Sequence, residues 1–262
     1  MNIALHRIWA VMLRNMLSEK RNLIRLTDAI YWPTMDIILW GLTSTWMRNN
    51  QLQIPNIVLV IMSGLVMWQV VMRANYEISI SMMEEMWHKS LINLFASPLT
   101  VTEWVIGCML NGLIKTIFVL FFGAGVVWLL YALNIFTMGW MIIPFVFSLI
   151  MFGWTTGFLG SSLIIYYGQK ASNLPWVMAF LFTPVSGVYY PIATLPGWAQ
   201  KIAYALPTAY IFEGMRSIIF TGQMPYRELF ISFCLNVTYL IGSISLFIFM
   251  FERSRNRGLD RL

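Results

Sequence analysis

Apolar runs of bilayer-crossing length follow one another along most of this chain, and no other feature constrains its fold as strongly. Ala29 to Met47 lies between Asp28 and Arg48, and further runs cover about Ile57–Tyr76, Ile106–Leu133, Trp140–Tyr166, Leu174–Val188 and Leu229–Phe251. In hydrocarbon such a segment satisfies its backbone only as a helix or within a closed barrel, and about 20 apolar residues suit a helix. The chain is 59% hydrophobic and 11% charged, whereas soluble domains carry roughly a quarter charged residues. It therefore reads as an all-α polytopic membrane protein. Cys108 and Cys234 both lie in apolar runs and outline no disulfide framework. No small-residue cleavage site follows a short apolar core, so no removable signal peptide is expected.

The tract from Thr183 to Gly222 departs from this pattern. Pro184, Pro191, Pro196 and Pro207 interrupt a sequence otherwise apolar enough for a bilayer. Proline removes a backbone donor and breaks a helix, so one straight span is excluded. A soluble loop would not carry Tyr189, Tyr190, Trp198, Tyr204, Tyr210 and Phe212 so densely. Helices that enter one membrane face and return accommodate both properties.

Charge sets the expected topology. Six spans, two within 29–76, three within 104–188 and one at 229–251, leave both termini in the cytosol. The inner side then holds Arg7, Arg14, Lys20, Arg21, Arg25, Lys89, Lys170, Arg253, Arg255, Arg257 and Arg261. The outer side holds only Arg48, Lys201, Arg216 and Arg227. A seventh span over Ile202–Phe220 would turn the basic tail, 252–262, outward against the positive-inside rule. It would also place Pro207, Glu213 and Arg216 in lipid. A re-entrant outer hairpin over 189–222 is the expectation. The pI of about 9.4 then reflects attraction to an anionic inner leaflet, with no basic-aromatic surface for nucleic acid.

Two segments are expected on the cytosolic surface. In residues 1–25, Leu5, Ile8, Trp9, Met12, Leu13, Met16 and Leu17 follow helical spacing while Arg7, Arg14 and Arg21 repeat on another face. This helix is interfacial, either a plain anchor or a lever between a cytosolic motor and the spans. In 79–98, Met83, Trp87, Leu91, Leu94 and Phe95 share one face, and Glu84, Glu85, His88 and Lys89 another. Ser97-Pro98 ends that helix, which either docks a soluble subunit or touches lipid alone.

The sequence lacks the usual equipment for catalysis. No Gly-Lys dipeptide occurs, so a Walker A loop cannot form. His6 and His88 are the two histidines, and neither HExxH nor CxxC is present. No catalytic residue, metal site or cofactor is expected in this chain. Asp36 is the exception to an apolar first span. It is either ion-paired to Arg73 or Lys115, or a polar group on a substrate path with Tyr31, Trp32 and Trp40. Glu213 and Arg216, three apart on a helix, are expected to pair. Trp128, Trp140 and Tyr166 suit membrane-interface anchors.

Two stretches resemble permease subunits of type-2 ABC exporters. That family's outer stretch reads Pro-x-Ser-Gly-x-x-x-Pro, Leu-Pro, a proline before a short helix and Glu-x-x-Arg. Here it is Pro184, Ser186, Gly187, Pro191, Leu195, Pro196, Pro207, Glu213 and Arg216. Its cytosolic stretch, Gly-Thr-Leu-Glu-x-Leu-Leu-x-x-Pro, aligns with Lys89 to Pro98, where Lys89 replaces the glycine and Ile92 the glutamate. The resemblance implies a homo- or heterodimer of permeases in the cytoplasmic membrane, on cytosolic ATPase subunits that hold the ATP and Mg. It implies ATPase coupling through Glu84, Glu85, Trp87, His88, Asn93, Ser97 and Pro98. It further implies an outer gate built from Tyr189, Tyr190, Pro191, Leu195, Pro196, Pro207, Glu213 and Arg216. The expected function is export of an amphipathic, lipid-linked or drug-like substrate by alternating access. A membrane enzyme acting on lipids would need convergent acid, base or nucleophile groups, and only Asp36 and the Glu213 pair are available. An ion-coupled carrier or channel would work without an ATPase, and no inverted repeat is evident.

Overall fold

A computed structural model describes residues 4–20, 23–49, 56–87, 97–171 and 173–256. Helix α1 (Leu5–Lys20) precedes α2 (Leu23–Asn49), α3 (Ile57–Trp87), α4 (Val101–Tyr131) and α5 (Ile142–Tyr167). Then come α6 (Leu174–Phe182), α7 (Gly197–Ala205), α8 (Pro207–Thr221) and α9 (Tyr226–Asn256). No strand occurs among the described residues. Four described segments are long and apolar enough to cross a membrane: Ile57–Trp87, Val101–Tyr131, Ile135–Tyr167 and Tyr226–Ser254. The 27-residue α2 has the length but is diluted by Asp28, Asp36 and its flanking polar residues.

Local chemistry explains the boundaries. Thr100 caps α4 in a capping box: its hydroxyl accepts from the Glu103 N–H, and the Glu103 side chain accepts from the Thr100 N–H. Pro175 opens α6 in the first turn, where its missing N–H costs nothing. Pro184 follows a few residues later, and α6 ends at Phe182 in a short 3-10 turn, Thr183–Val185. At 9 residues, α6 spans only about 14 Å, so the fifth expected crossing is a short helix leading into the proline-rich tract. Gly222 closes α8 in the left-handed conformation at φ 70°.

One boundary differs from expectation. The polar interval starting at Glu77 does not begin a separate surface helix, because α3 continues unbroken to Trp87. Nothing between Tyr76 and Trp87 breaks a helix, and Glu77, Ser79 and Glu85 are buried against other elements. The first half of the expected coupling helix, 79–98, is thus the end of a 31-residue helix. His88 and Asn93, with most of the Lys89–Pro98 stretch, lie outside the described residues, as do Arg257 and Arg261.

Helix α3 is the packing centre, and α5 is its principal neighbour. Gly153 and Gly157 of α5 face it, so the GxxxG pair does serve close packing. A β-carbon on Gly153 would sit 2.5 Å from the Ala74 Cβ and 2.7 Å from the Val71 carbonyl oxygen. The close approach lets the Ser79 hydroxyl donate to the Gly157 carbonyl at 3.1 Å.

Two apolar clusters mark the two ends of α3. One gathers Ile57, Ile61, Leu65, Ile135, Val188, Leu206 and Phe212 around the proline-rich tract. The other gathers Val11, Met82, Met86, Trp104, Phe158, Phe247 and Phe251 beneath α1. Gly64 abuts the Val188 carbonyl and Glu85 contacts Arg14 of α1. Twenty-one residues of helix separate them, about 31 Å, close to the thickness of a bilayer's hydrocarbon core. Helix α1 and the proline-rich tract therefore lie at opposite ends of the bundle.

Close packing at Gly153 is directly testable. Gly153→Val should destabilise the detergent-solubilised protein by roughly 1–3 kcal/mol or more, as overpacking does. Gly125→Ala, with nothing within 4 Å of the added carbon, should leave the thermal unfolding midpoint unchanged or raised. Equal midpoints for the two variants would remove the close-approach argument.

Candidate functional site

At one end, α1 is clamped by charge. Arg14 pairs with Glu85 near the end of α3. Arg7 donates to the Pro98 carbonyl at 2.6 Å and lies 3.6 Å from Glu103. The Ala4 N–H donates to Glu103 Oε1 at 2.9 Å. Desolvation at this packed surface lowers the Arg14 pKa from its ordinary value, while nearby Cys108 and Glu84 act in the opposite direction. A guanidinium so far above neutrality stays cationic regardless. Ile8, Val11 and Met12 are buried, whereas Leu5, Trp9, Leu13, Met16 and Leu17 face outward. The apolar face anticipated for this helix is thus split between the bundle and its surroundings.

Among the expected coupling residues, Trp87, Ser97 and Pro98 are exposed and Glu84 is half-buried. Glu85 is different. It is buried and committed to Arg14, so it supports α1 from within and does not present a charge to a docked subunit.

At the other end, the proline-rich tract is tied together by Glu213 and Arg216. Arg216 donates through Nη2 to Glu213 Oε1 at 3.1 Å and through Nη1 to the Gly187 carbonyl at 2.7 Å. Glu213 Oε1 also accepts the Ile192 N–H at 2.7 Å. Gly187 has φ 69°, a conformation that penalises any side chain. A β-carbon there would approach Arg216 Nη2 to 3.2 Å. Leu195 packs on the small cluster of Ile192, Ala203 and Ala209. Pro191 and Pro196 flank the adjoining turn, Pro207 starts α8, and the Tyr190 hydroxyl donates to the Pro184 carbonyl at 2.5 Å. The local pair expected from the sequence exists, and it also fixes the backbone of the turn preceding α7.

Between these ends lies a cavity of about 360 Å³, lined by Asp28, Trp32 and Asp36 of α2, by Gln69, Arg73, Asn75 and Tyr76 of α3, and by Trp176 and Phe180 of α6. Asp36 accepts from the Gln69 amide at 2.8 Å. Neither expected cation reaches it. Arg73 is 2.5 Å from Glu77 Oε1, one turn along the same helix, and Lys115 of α4 pairs with Glu77 Oε2. Glu77 captures both cations because Arg73 is its i,i+4 neighbour and α4 passes beside it, while Asp36 faces Gln69 two turns away. Tyr31 and Trp32 are exposed and in edge-to-face contact. Trp40 stacks on Tyr189 at 4.2 Å between ring centroids, which joins the expected path directly to the proline-rich tract.

Two polar clusters went unanticipated. The Arg73–Glu77–Lys115 triad could have been half seen, since Arg73 and Glu77 have helix-pair spacing, but Lys115 is 38 residues away from Glu77. In the second, Asn236 Nδ2 donates to Ser148 Oγ at 2.7 Å, and Ser232 Oγ donates to the Pro207 carbonyl at 2.9 Å. This joins α9 to α5 and to the start of α8. Asn236 is fully buried.

The triad generates a second prediction. Glu77→Gln leaves two nearly buried cations without a counter-charge and should cost about 3–5 kcal/mol in thermal stability. Adding Lys115→Met should recover part of that loss, measured as a double-mutant cycle on the purified protein. Strict additivity would show that the two residues do not interact.

The family described as ABC-2 type transporter matches residues 6–220 of this chain. No curated protein matches it.

Proposed function

This chain belongs to the ABC-2 type transporter family, and on that premise we propose that it is the permease subunit of an ATP-driven exporter. The family's membrane domain is a transport component that works with ABC ATPase subunits and is not itself a catalyst. Two copies, or this chain and a related one, would form the pore across the cytoplasmic membrane. The partner ATPases would bind the ATP and Mg.

One observation carries this reading: charge-clamped α1 and the proline-rich tract lie about 31 Å apart along a single helix, with a largely apolar cavity that holds a few polar groups between them. The α1 end collects Arg7, Arg14, Lys20 and Arg253 and is assigned to the cytosol, with both termini there. Trp87, Ser97, Pro98 and Glu84 would meet the ATPase. Because α1 is bonded to Glu85, Pro98 and Glu103, a push on the 97–103 segment would move α1, α3 and α4 together. This supports the lever over the plain anchor. At the far end, the Glu213–Arg216 brace would act as the outer gate, with Trp40 against Tyr189 passing movement of α2 to it. An amphipathic substrate entering from the inner side would traverse the cavity as access alternates.

The test uses the chain co-expressed with candidate ABC ATPase subunits. The two should co-purify, and inverted vesicles should accumulate substrate only with ATP. Arg14→Glu should leave the complex assembled but lower transport severalfold, with recovery when Glu85→Arg restores the pair. A complex that lacks an ATPase and shows no ATP-dependent movement overturns the exporter reading. Failure of the charge swap to recover transport removes only the lever.

A further inference from the structure

We propose that the cavity between α2, α3 and α6 binds an organic cation, an ammonium group carried on an aromatic or aliphatic body. This names the substrate class for the permease reading and rests on it. The charge distribution comes first. Among the described residues Arg73 is the only cation lining the cavity, and Glu77 holds it at 2.5 Å. Asp36 and Asp28 contribute two carboxylates, and among the described residues neither lies within ion-pair distance of a cation. Among the described residues the neutral Gln69 amide is the one hydrogen-bond partner of Asp36. A half-buried carboxylate with a neutral donor retains most of its attraction for a positive ligand.

A second observation points the same way. Asn75 lines the cavity and is 1% exposed. Its Nδ2 donates to the Pro175 carbonyl at 2.8 Å, but its Oδ1 has no hydrogen-bond partner. A buried acceptor left open is costly and is satisfied by a ligand N–H. An ammonium group supplies that donor together with the charge that Asp36 lacks. The walls suit the remainder of such a molecule. Trp32, Tyr76, Trp176 and Phe180 line the same cavity as the carboxylates, and ring faces attract cations within about 6 Å. Arg73 already lies 5.6 Å from the Tyr76 ring centroid, showing that this wall accepts a cation. Arg73 Nε also lacks an acceptor, so a ligand with an oxygen near its ammonium group gains a further contact. The volume of about 360 Å³ falls in the range of small-molecule sites.

The experiment measures binding, so it requires neither the ATPase nor transport. The purified full chain is titrated with rhodamine 6G, a cationic dye bearing N–H groups, and with fluorescein, an anion of similar size, by fluorescence polarisation in phosphatidylglycerol nanodiscs. The wild-type chain should bind the cation at least tenfold tighter than Asp36→Asn does, with fluorescein binding weak and alike in both. Asn keeps an acceptor for Gln69, so this variant should fold, and matched unfolding midpoints confirm it. Asp36→Glu should retain cation binding, and Trp32→Ala should weaken it. Phosphatidylethanolamine, whose headgroup is an ammonium with N–H donors, added to the nanodiscs separates two sources of the same chemistry. Competition with the dye identifies a lipid headgroup as occupant, and its absence identifies a free organic cation. Equal affinity for both dyes, or unchanged cation affinity in Asp36→Asn, overturns the proposal. Either result leaves the exporter reading intact if ATP-dependent transport persists, whereas loss of that transport with cation binding preserved overturns the exporter reading alone.

Discussion

A polar side chain in hydrocarbon must find a partner, because no water is there to supply one. Helix α3 carries Gln69, Asn75, Glu77, Ser79 and Glu85 through the depth of the bundle, and each meets a group that locates another element. Gln69 fixes α2 through Asp36, Glu77 fixes α4 through Lys115, and Asn75 fixes α6 through the Pro175 carbonyl. Ser79 holds α5 and Glu85 holds α1. Dispersion packing alone does not specify register among helices in lipid. This series of short polar contacts supplies it. The rest of the bundle depends on α3 remaining one unbroken helix.

The two ends of the bundle are built by different means. At the α1 end, carboxylates on α3 and α4 receive arginines and a backbone N–H from a helix packed across them. At the other end, a single carboxylate and guanidinium brace a chain that prolines have prevented from continuing as a helix. Proline removes donors, so the tract has fewer N–H groups to satisfy, and Glu213 and Arg216 serve a remaining N–H and a carbonyl. The stack of Trp40 on Tyr189 connects this braced turn to the wall of the central cavity.

How much was legible in advance depended on the range of the interaction. The break in the helical pattern between Thr183 and Gly222 was readable because proline acts on its own backbone, and the Glu213–Arg216 pair because its members are one turn apart. The α3–α5 contact was announced by Gly153 and Gly157, since small residues have a local steric meaning. The partner of Asp36 was not legible. Arg73 and Lys115 were the chemically reasonable choices, and Glu77 took both because it was nearer to each in space. The end of α3 was misplaced for a related reason. Glu77, Ser79 and Glu85 look like surface residues by composition, and only their partners on α4, α5 and α1 make them interior ones.

The sequence by itself determined the class of this protein: its apolar lengths demand helices in a membrane, its prolines demand a broken segment, and its charges favour one orientation. These follow from backbone chemistry and solvation, which act residue by residue. Only the tertiary structure decided which polar groups neutralise one another and which are left facing the cavity. That outcome depends on distances between helices far apart in the chain, and those distances are set by the packing of the whole bundle around α3.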